Sequence, residues 1–252
     1  SAPFSIFLKM ENKRTQGLNT LWGNLIIEEL IRNGVDYFGI APGSRSTPLT
    51  AAVGRNKKAK SIIHFDERGL AFHALGYVSA VRKPAALVCT SGTAAANLFP
   101  AIIEASKKKL PLIVLTADRP PELQKTGADQ TIEQSRLYGP YAKWRFDFPC
   151  PTDDIKPEFI LTTIDQAVFQ AKSMIPGPVH LNCAFREPLT PLKQYFKIKG
   201  LRDWQKRDTP YTTYIEPKTS FKSSNPQLLK SLSRIKKGLL VVGKLYSKEE
   251  QA

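Results

Sequence analysis

Glu67 stands between a short apolar run, Ser61 to Phe65, and a segment whose apolar residues Ala71, Ala74, Leu75, Val78 and Val81 recur at helical spacing. A carboxylate at that junction has two chemical uses. It can complement the positive end of a helix dipole, or it can share a proton with a ligand in a partly dry site. Three more polar segments follow apolar runs: Ala41-Pro42-Gly43-Ser44-Arg45-Ser46-Thr47, Thr90-Ser91-Gly92-Thr93-Ala94, and Thr116-Ala117-Asp118-Arg119-Pro120-Pro121-Glu122-Leu123. Singly, each reads as an ordinary turn, helix cap or rigid loop. Together they bring two guanidinium groups, a carboxylate, small hydroxyls and close-approach glycines to one place. That set suits a ligand carrying carboxylates and a heteroaromatic ring.

Several other chemistries are disfavoured. No Gly-x-Gly-x-x-Gly follows the first strand, no Gly-x-x-x-x-Gly-Lys-Ser/Thr occurs, and no Ser-His-acid set follows a nucleophile elbow. Cys89, Cys150 and Cys183 lack Cys-x-x-Cys spacing, and His64, His73 and His180 lack ligand spacing, so no metal site is expected. The cysteines read as buried small residues in a reducing compartment, the cytoplasm. The formal charge of +15 invites a nucleic-acid partner, but the last 57 residues alone carry 13 Lys or Arg against 5 Asp or Glu. Those residues are dispersed and match no nucleic-acid motif, which indicates a solvated basic face. No apolar run is long enough to span a bilayer.

The elements needed to position these loops alternate along the 252 residues. A helix is expected from Asn19, as N-cap, to Asn33, closed by Gly34. Strands are expected at Val35–Ala41, Ser61–Phe65, Ala85–Thr90, Pro111–Ala117, Lys143–Phe148 and Pro178–Cys183. Helices are expected from near Pro48, after Glu67, at Ala94–Ser106, near Ile132–Leu137 and at Pro157–Met174. This order predicts an α/β fold, a parallel sheet covered on both faces, with the strand-end loops along one edge. Residues 1–18 read as an N-terminal extension or tag remnant, 19–190 as the main domain and 191–220 as a linker. Residues 221–252, with a helix at Asn225–Lys237, a strand at Gly238–Gly243 and a helix start at Ser247–Glu250, read as the truncated start of a second α/β domain.

The four loop segments, with Gly177-Pro178-Val179-His180-Leu181-Asn182-Cys183, resemble the N-terminal part of the 2-succinyl-5-enolpyruvyl-6-hydroxy-3-cyclohexene-1-carboxylate synthase family, within the thiamine-diphosphate enzymes. The resemblance runs from about Asn19 to Leu189, and Gly238–Glu250 resembles the start of that family's central domain. It implies a pyrimidine-binding domain in which Glu67 bonds N1′ of the aminopyrimidine and favours the tautomer that deprotonates the thiazolium. Ser91, Gly92 and Thr93 match the loop beside that ring. Ser44, Arg45, Arg119 and Gln130 match positions around the substrates, implied to be 2-oxoglutarate and isochorismate. Asp129 departs from the Asn frequent in the family. The Gly-Asp-Gly motif that holds diphosphate and Mg²⁺ in such enzymes does not occur. The resemblance therefore implies half a site, inactive alone and completed by a second subunit in a homodimer or homotetramer. Two other readings compete: a related decarboxylase of the acetolactate-synthase type, against which Arg45 and Arg119 weigh, and a non-catalytic subunit that kept the fold.

Overall fold

The computed structural model describes residues 2–173, 175–192, 200–215 and 226–239. It divides into two compact units, Ser1–Tyr214 and Ile215–Ala252. The first unit holds a six-stranded parallel sheet. Its strands are β1 (Tyr37–Ile40), β2 (Lys60–Ile63), β3 (Ala85–Cys89), β4 (Leu112–Asp118), β5 (Trp144–Phe148) and β6 (Val179–Ala184), in the spatial order β2-β1-β3-β4-β6-β5. Tyr37 pairs with Ala85, Ala85 with Leu112, and Ile113 with Val179.

Side chains alternate across a strand, so the central strands feed two cores. Ala86, Val88, Ile113, Leu115 and Ala117 join Leu25, Ile26, Leu49 and Ile164 on one face. Ala85, Leu87, Cys89, Leu112 and Val114 join Leu70, Ala74, Leu98 and Ile102 on the other. Burial on both faces explains why these strands are continuous apolar runs. The first face is covered by α1 (Ala2–Arg32), α2 (Thr47–Arg55) and α6 (Pro157–Lys172); the second by α3 (Glu67–Val81), α4 (Thr93–Asn97) and α5 (Phe99–Lys108).

Three expectations about helices fail for identifiable reasons. Asn19 is no N-cap but lies inside α1, which runs from Ala2. Its side chain is buried and donates to the carbonyls of Arg186 (2.8 Å) and Pro188 (3.3 Å). The expected helix Ala94–Ser106 is broken at Leu98 between α4 and α5. Pro100 has no N–H to give, and its ring crowds the carbonyl four residues earlier. Ile132–Leu137 forms turns instead of a helix, because Gln134 and Ser135 spend their side chains on distant partners. Within α3 the buried face is Leu70, Ala71, Ala74, Leu75 and Val78, while Val81 is exposed.

The Gly34 stop is as expected. Gly34 has φ +85°, and the N–H groups of Gly34 and Val35 return to Ile31 and Leu30 as a Schellman closure. Asp66 caps α3 by accepting from Arg68 N (2.9 Å) and Gly69 N (3.2 Å), which fixes Glu67 as its first residue. In the second unit, α7 (Pro226–Ser233) falls within the expected helix at 225–237. The expected strand at 238–243 lies, from residue 240, outside the described residues, as does the helix start at 247–250.

Residues 200–214 pack onto α1 and α6 around two buried carboxyls. Glu29 accepts from the Trp204 indole (2.6 Å) and from the Tyr211 amide, and Asp165 accepts from Asn33 (2.7 Å) and the Thr212 amide (2.7 Å). Burial, reinforced by Asp165, pushes the Glu29 carboxyl up to about 8, against the pull of the Tyr211 and Trp204 donors. A raised folded-state value means native stability that is complete below the unfolded value near 4.5 and is lost as pH rises through 8. His180, which burial lowers to about 4, works in the opposite sense but only below its ordinary 6.5. Between pH 6.5 and 8 the unfolding free energy should therefore fall by up to ~1.4 kcal/mol per pH unit. Glu29→Gln should flatten that slope, and denaturant unfolding across this range decides it.

Candidate functional site

Parallel strands carry their C-terminal loops to one edge, so the segments after β1, β2, β3, β4 and β6 converge there. The loops after β1 and β3 touch. A Cβ on Gly43 would stand 2.3 Å from that of Thr90, an approach only glycine allows. Glu67 is half-buried, and its Oε2 accepts from Asn97 Nδ2 at 3.0 Å. Asn97 ends α4, which starts at Thr93, so this bond ties the carboxylate to the element that the Ser91-Gly92-Thr93 loop begins. Oε1 of Glu67 accepts no hydrogen bond among the described residues.

Gly92 needs a left-handed backbone, with φ +78°. A Cβ there would meet the Gln130 carbonyl oxygen at 3.1 Å and its Cα at 3.2 Å. Gln130 thus reaches the site through its backbone, at φ +52°, and its side chain lies in an exposed stretch beside Asp129. Ser91 is buried, and its Oγ accepts from Arg119 Nη1. Arg119 is half-buried, and burial, then the like charge of Arg45, hold its guanidinium below the usual range. Arg45 donates through Nη1 to the Phe185 carbonyl (2.9 Å) and through Nη2 to Glu187 Oε1 (2.8 Å). Ser44 and Thr93 are exposed. Ser44 offers its carbonyl to Thr47 (3.1 Å from N, 2.6 Å from Oγ1). The structure thus brings Glu67, Ser91, Gly92, Thr93 and Arg119 to adjoining loops, with Gln130 represented by its main chain. Arg45 lies within electrostatic reach, and Ser44, its neighbour in the chain, is exposed.

Beneath these loops lies a buried polar relay that sequence reasoning missed. The Gly92 N–H donates to Gln134 Oε1 at 2.8 Å. Gln134 Nε2 donates to the Ala117 carbonyl (3.2 Å) and to Asn182 Oδ1 (2.9 Å). Asn182 Nδ2 donates to Asp118 Oδ2 (2.8 Å), and Asp118 Oδ1 accepts the Arg119 N–H (2.7 Å). Burial raises the Asp118 carboxyl, against these donors. Thr116 gives its one proton to Asn182 Oδ1 (2.8 Å), so it accepts from His180 Nε2 at 2.7 Å. This fixes His180 as the neutral Nε2–H tautomer. A signal was present: Thr116, His180 and Asn182 are polar interruptions in strands that are otherwise apolar and buried.

Residues 22–137 match the family described as thiamine pyrophosphate enzyme, N-terminal TPP binding domain. An all-parallel, doubly covered sheet with a glutamate opening a helix beside a glycine loop is consistent with that N-terminal domain. More narrowly, the chain is similar over most of its length to the 2-succinyl-5-enolpyruvyl-6-hydroxy-3-cyclohexene-1-carboxylate synthases. It is 48% identical to the one from Rubrobacter xylanophilus over 94% of this chain and 41% of the relative, and 48% identical to that of Salinibacter ruber over 90% and 39%. It is also 42% identical to the chloroplastic protein PHYLLO of Arabidopsis thaliana, over 92% of this chain and 14% of that protein. The chain spans about two-fifths of the length of the bacterial relatives.

Gln134→Met keeps the side chain's length but orphans the Gly92 N–H and removes one of the two donors to the Asn182 oxygen. Unfolding free energy should drop by about 1–3 kcal/mol, and the Gly92 amide resonance should move. An unchanged melting temperature together with an unchanged Gly92 signal would remove Gln134 from this role.

Proposed function

We propose that this chain is the aminopyrimidine-binding part of a synthase that decarboxylates 2-oxoglutarate on thiamine diphosphate and joins the product to isochorismate. The observation that carries the reading is Glu67, held at the start of α3 with Oε2 bonded to Asn97 and Oε1 uncommitted, beside the Gly92 loop. Those groups fit an aminopyrimidine. The carboxylate has one oxygen left for a ring nitrogen, and Gly92 gives a backbone without side-chain bulk. When bound, thiamine diphosphate supplies an acidic carbon that adds to 2-oxo acids and holds the electron pair left by departing CO2.

Glu67 holds the proton shared with N1′, a role that needs a carboxylate partly withdrawn from water. Ser91, Gly92 and Thr93 line the ring's edge. Arg45 and Arg119 take substrate carboxylates, for which a planar two-donor edge is suited, with Ser44 and Gln130 at the rim of the same pocket. Asp129 contributes a negative charge that raises Arg119's affinity for its proton. Among the described residues no group of three or more His, Cys, Asp or Glu could hold a metal. Mg²⁺ and the diphosphate are accordingly assigned to a separate domain of a second subunit, in a homodimer or homotetramer. Ile63, Phe65 and Phe72 are large apolar side chains left in solvent in the strand, loop and helix around Glu67, which supports a covering partner there. Three free, buried cysteines support a cytoplasmic setting.

The test joins this chain to the remaining portion of the Rubrobacter xylanophilus synthase and assays both substrates. The chain alone should give no turnover, and the joined protein should turn over. Glu67→Gln in the joined protein should lose about 10²-fold or more, with folding nearly intact. Turnover by the chain alone would refute the half-site, and wild-type turnover in Glu67→Gln would refute the role of Glu67. Arg119→Ala should chiefly raise KM for one or both substrates, and unchanged constants for both would take it out of the pocket.

A further inference from the structure

Two arginines at this edge meet carboxylates differently. Arg186 presents Nε and Nη2 to both oxygens of Glu122, at 2.6 and 3.0 Å, a two-point fork. Arg45 gives Glu187 a single bond, Nη2 to Oε1 at 2.8 Å. Its Nε, on the same edge of the guanidinium as Nη2, is sealed from solvent and meets no acceptor among the described residues. The Arg45 side chain is 5% exposed, whereas that of Glu187 is 72% exposed. The carboxylate-binding edge of a buried arginine is thus half used, by a carboxylate that stands mostly in water.

The energetics of exchange follow from that asymmetry. Glu187 loses little by leaving, because its carboxylate regains full hydration. Arg45 loses much if nothing replaces it, because a buried guanidinium would keep two donors on that edge without partners. Its aim survives the exchange, since Nη1 stays tied to the Phe185 carbonyl. Glu187 also offsets the repulsion between Arg45 and Arg119, as its opposing pull on Arg119 indicates. A replacement has to carry negative charge of its own.

We propose that Glu187 is a displaceable stand-in for a substrate carboxylate: an incoming dicarboxylate takes the Nε and Nη2 edge of Arg45, and Glu187 swings into solvent. This rests on the reading of Arg45 and Arg119 as the guanidiniums of the substrate pocket. Glu187 then acts as a specificity-determining residue. It occupies Arg45 against water and neutral molecules, and yields only to an anion that fills both donors.

The experiment titrates the ¹⁵N-labelled chain with succinate, and separately with neutral succinamide, following arginine Nε–H signals. The Arg45 signal is identified by its loss in Arg45→Lys. Succinate should shift it in the wild-type chain and should bind about fivefold tighter or more in Glu187→Gln; succinamide should shift neither. Glu187→Ala, which leaves no amide to replace the carboxylate, should tighten binding in the same direction. Equal or weaker binding in both variants, with the Arg45 signal still moving, overturns the stand-in and leaves Arg45 as a carboxylate site. No movement of the Arg45 signal in any form overturns both. Turnover by the joined protein answers the wider functional reading independently of either result.

Discussion

The hydrogen bond from the Gly92 N–H to the Gln134 side chain is the interaction on which the site's geometry depends. A loop that leaves β3 at φ +78° turns its amide away from the sheet ladder, and a buried N–H without an acceptor costs about 1–3 kcal/mol. Gln134 meets that need from a segment some forty residues later. Its other end is fastened to Ala117 and Asn182, and through Asn182 to Asp118 and the Arg119 amide. The Gly92 loop and the loop carrying Arg119 are therefore set by one relay that runs through side-chain amides to the Asp118 carboxyl. Its amide and hydroxyl members complete their bonds in a dry interior without the desolvation cost of a charge, and the Asp118 carboxyl at its end is compensated by the donors from Asn182 and Arg119.

Above the relay the constraint changes from hydrogen bonding to charge. Arg45 and Arg119 lie near enough for each guanidinium to feel the other, and burial removes the water that would screen them. Glu187, Asp118 and Asp129 offset that repulsion in the protein as it stands. Two cations are thus held near each other with protein carboxylates beside them.

How much of this was legible in the sequence depends on where each partner lay. The strands and the loops at their ends were readable because burial on both faces of the central strands forces continuous apolar runs, and because the stop at Gly34 acts within a few residues. Asn19 was misread because its partners are the carbonyls of Arg186 and Pro188. Ile132–Leu137 was misread because helical spacing says nothing of a Gln134 whose bonds go to three other segments. Ser44 and Gln130 illustrate the converse. Their residue types suited a polar pocket, yet in this structure one side chain is exposed and the other residue contributes mainly backbone.

The surroundings of Glu67 carry the argument one step further. On the proposed reading, a carboxylate that shares a proton with a ring nitrogen needs low dielectric, and Glu67 is only half-buried. Asn97 supplies one hydrogen bond, and the floor of the site is dry, with Cys89 and Ser91 fully buried. The roof is missing: Phe65 is 89% exposed, and Ile63 and Phe72 also face water. Apolar side chains at that position gain little for this chain alone and would stabilise a surface laid over them. The same contact that buried them would finish drying Glu67, so completing the site and activating its acid would be one event rather than two.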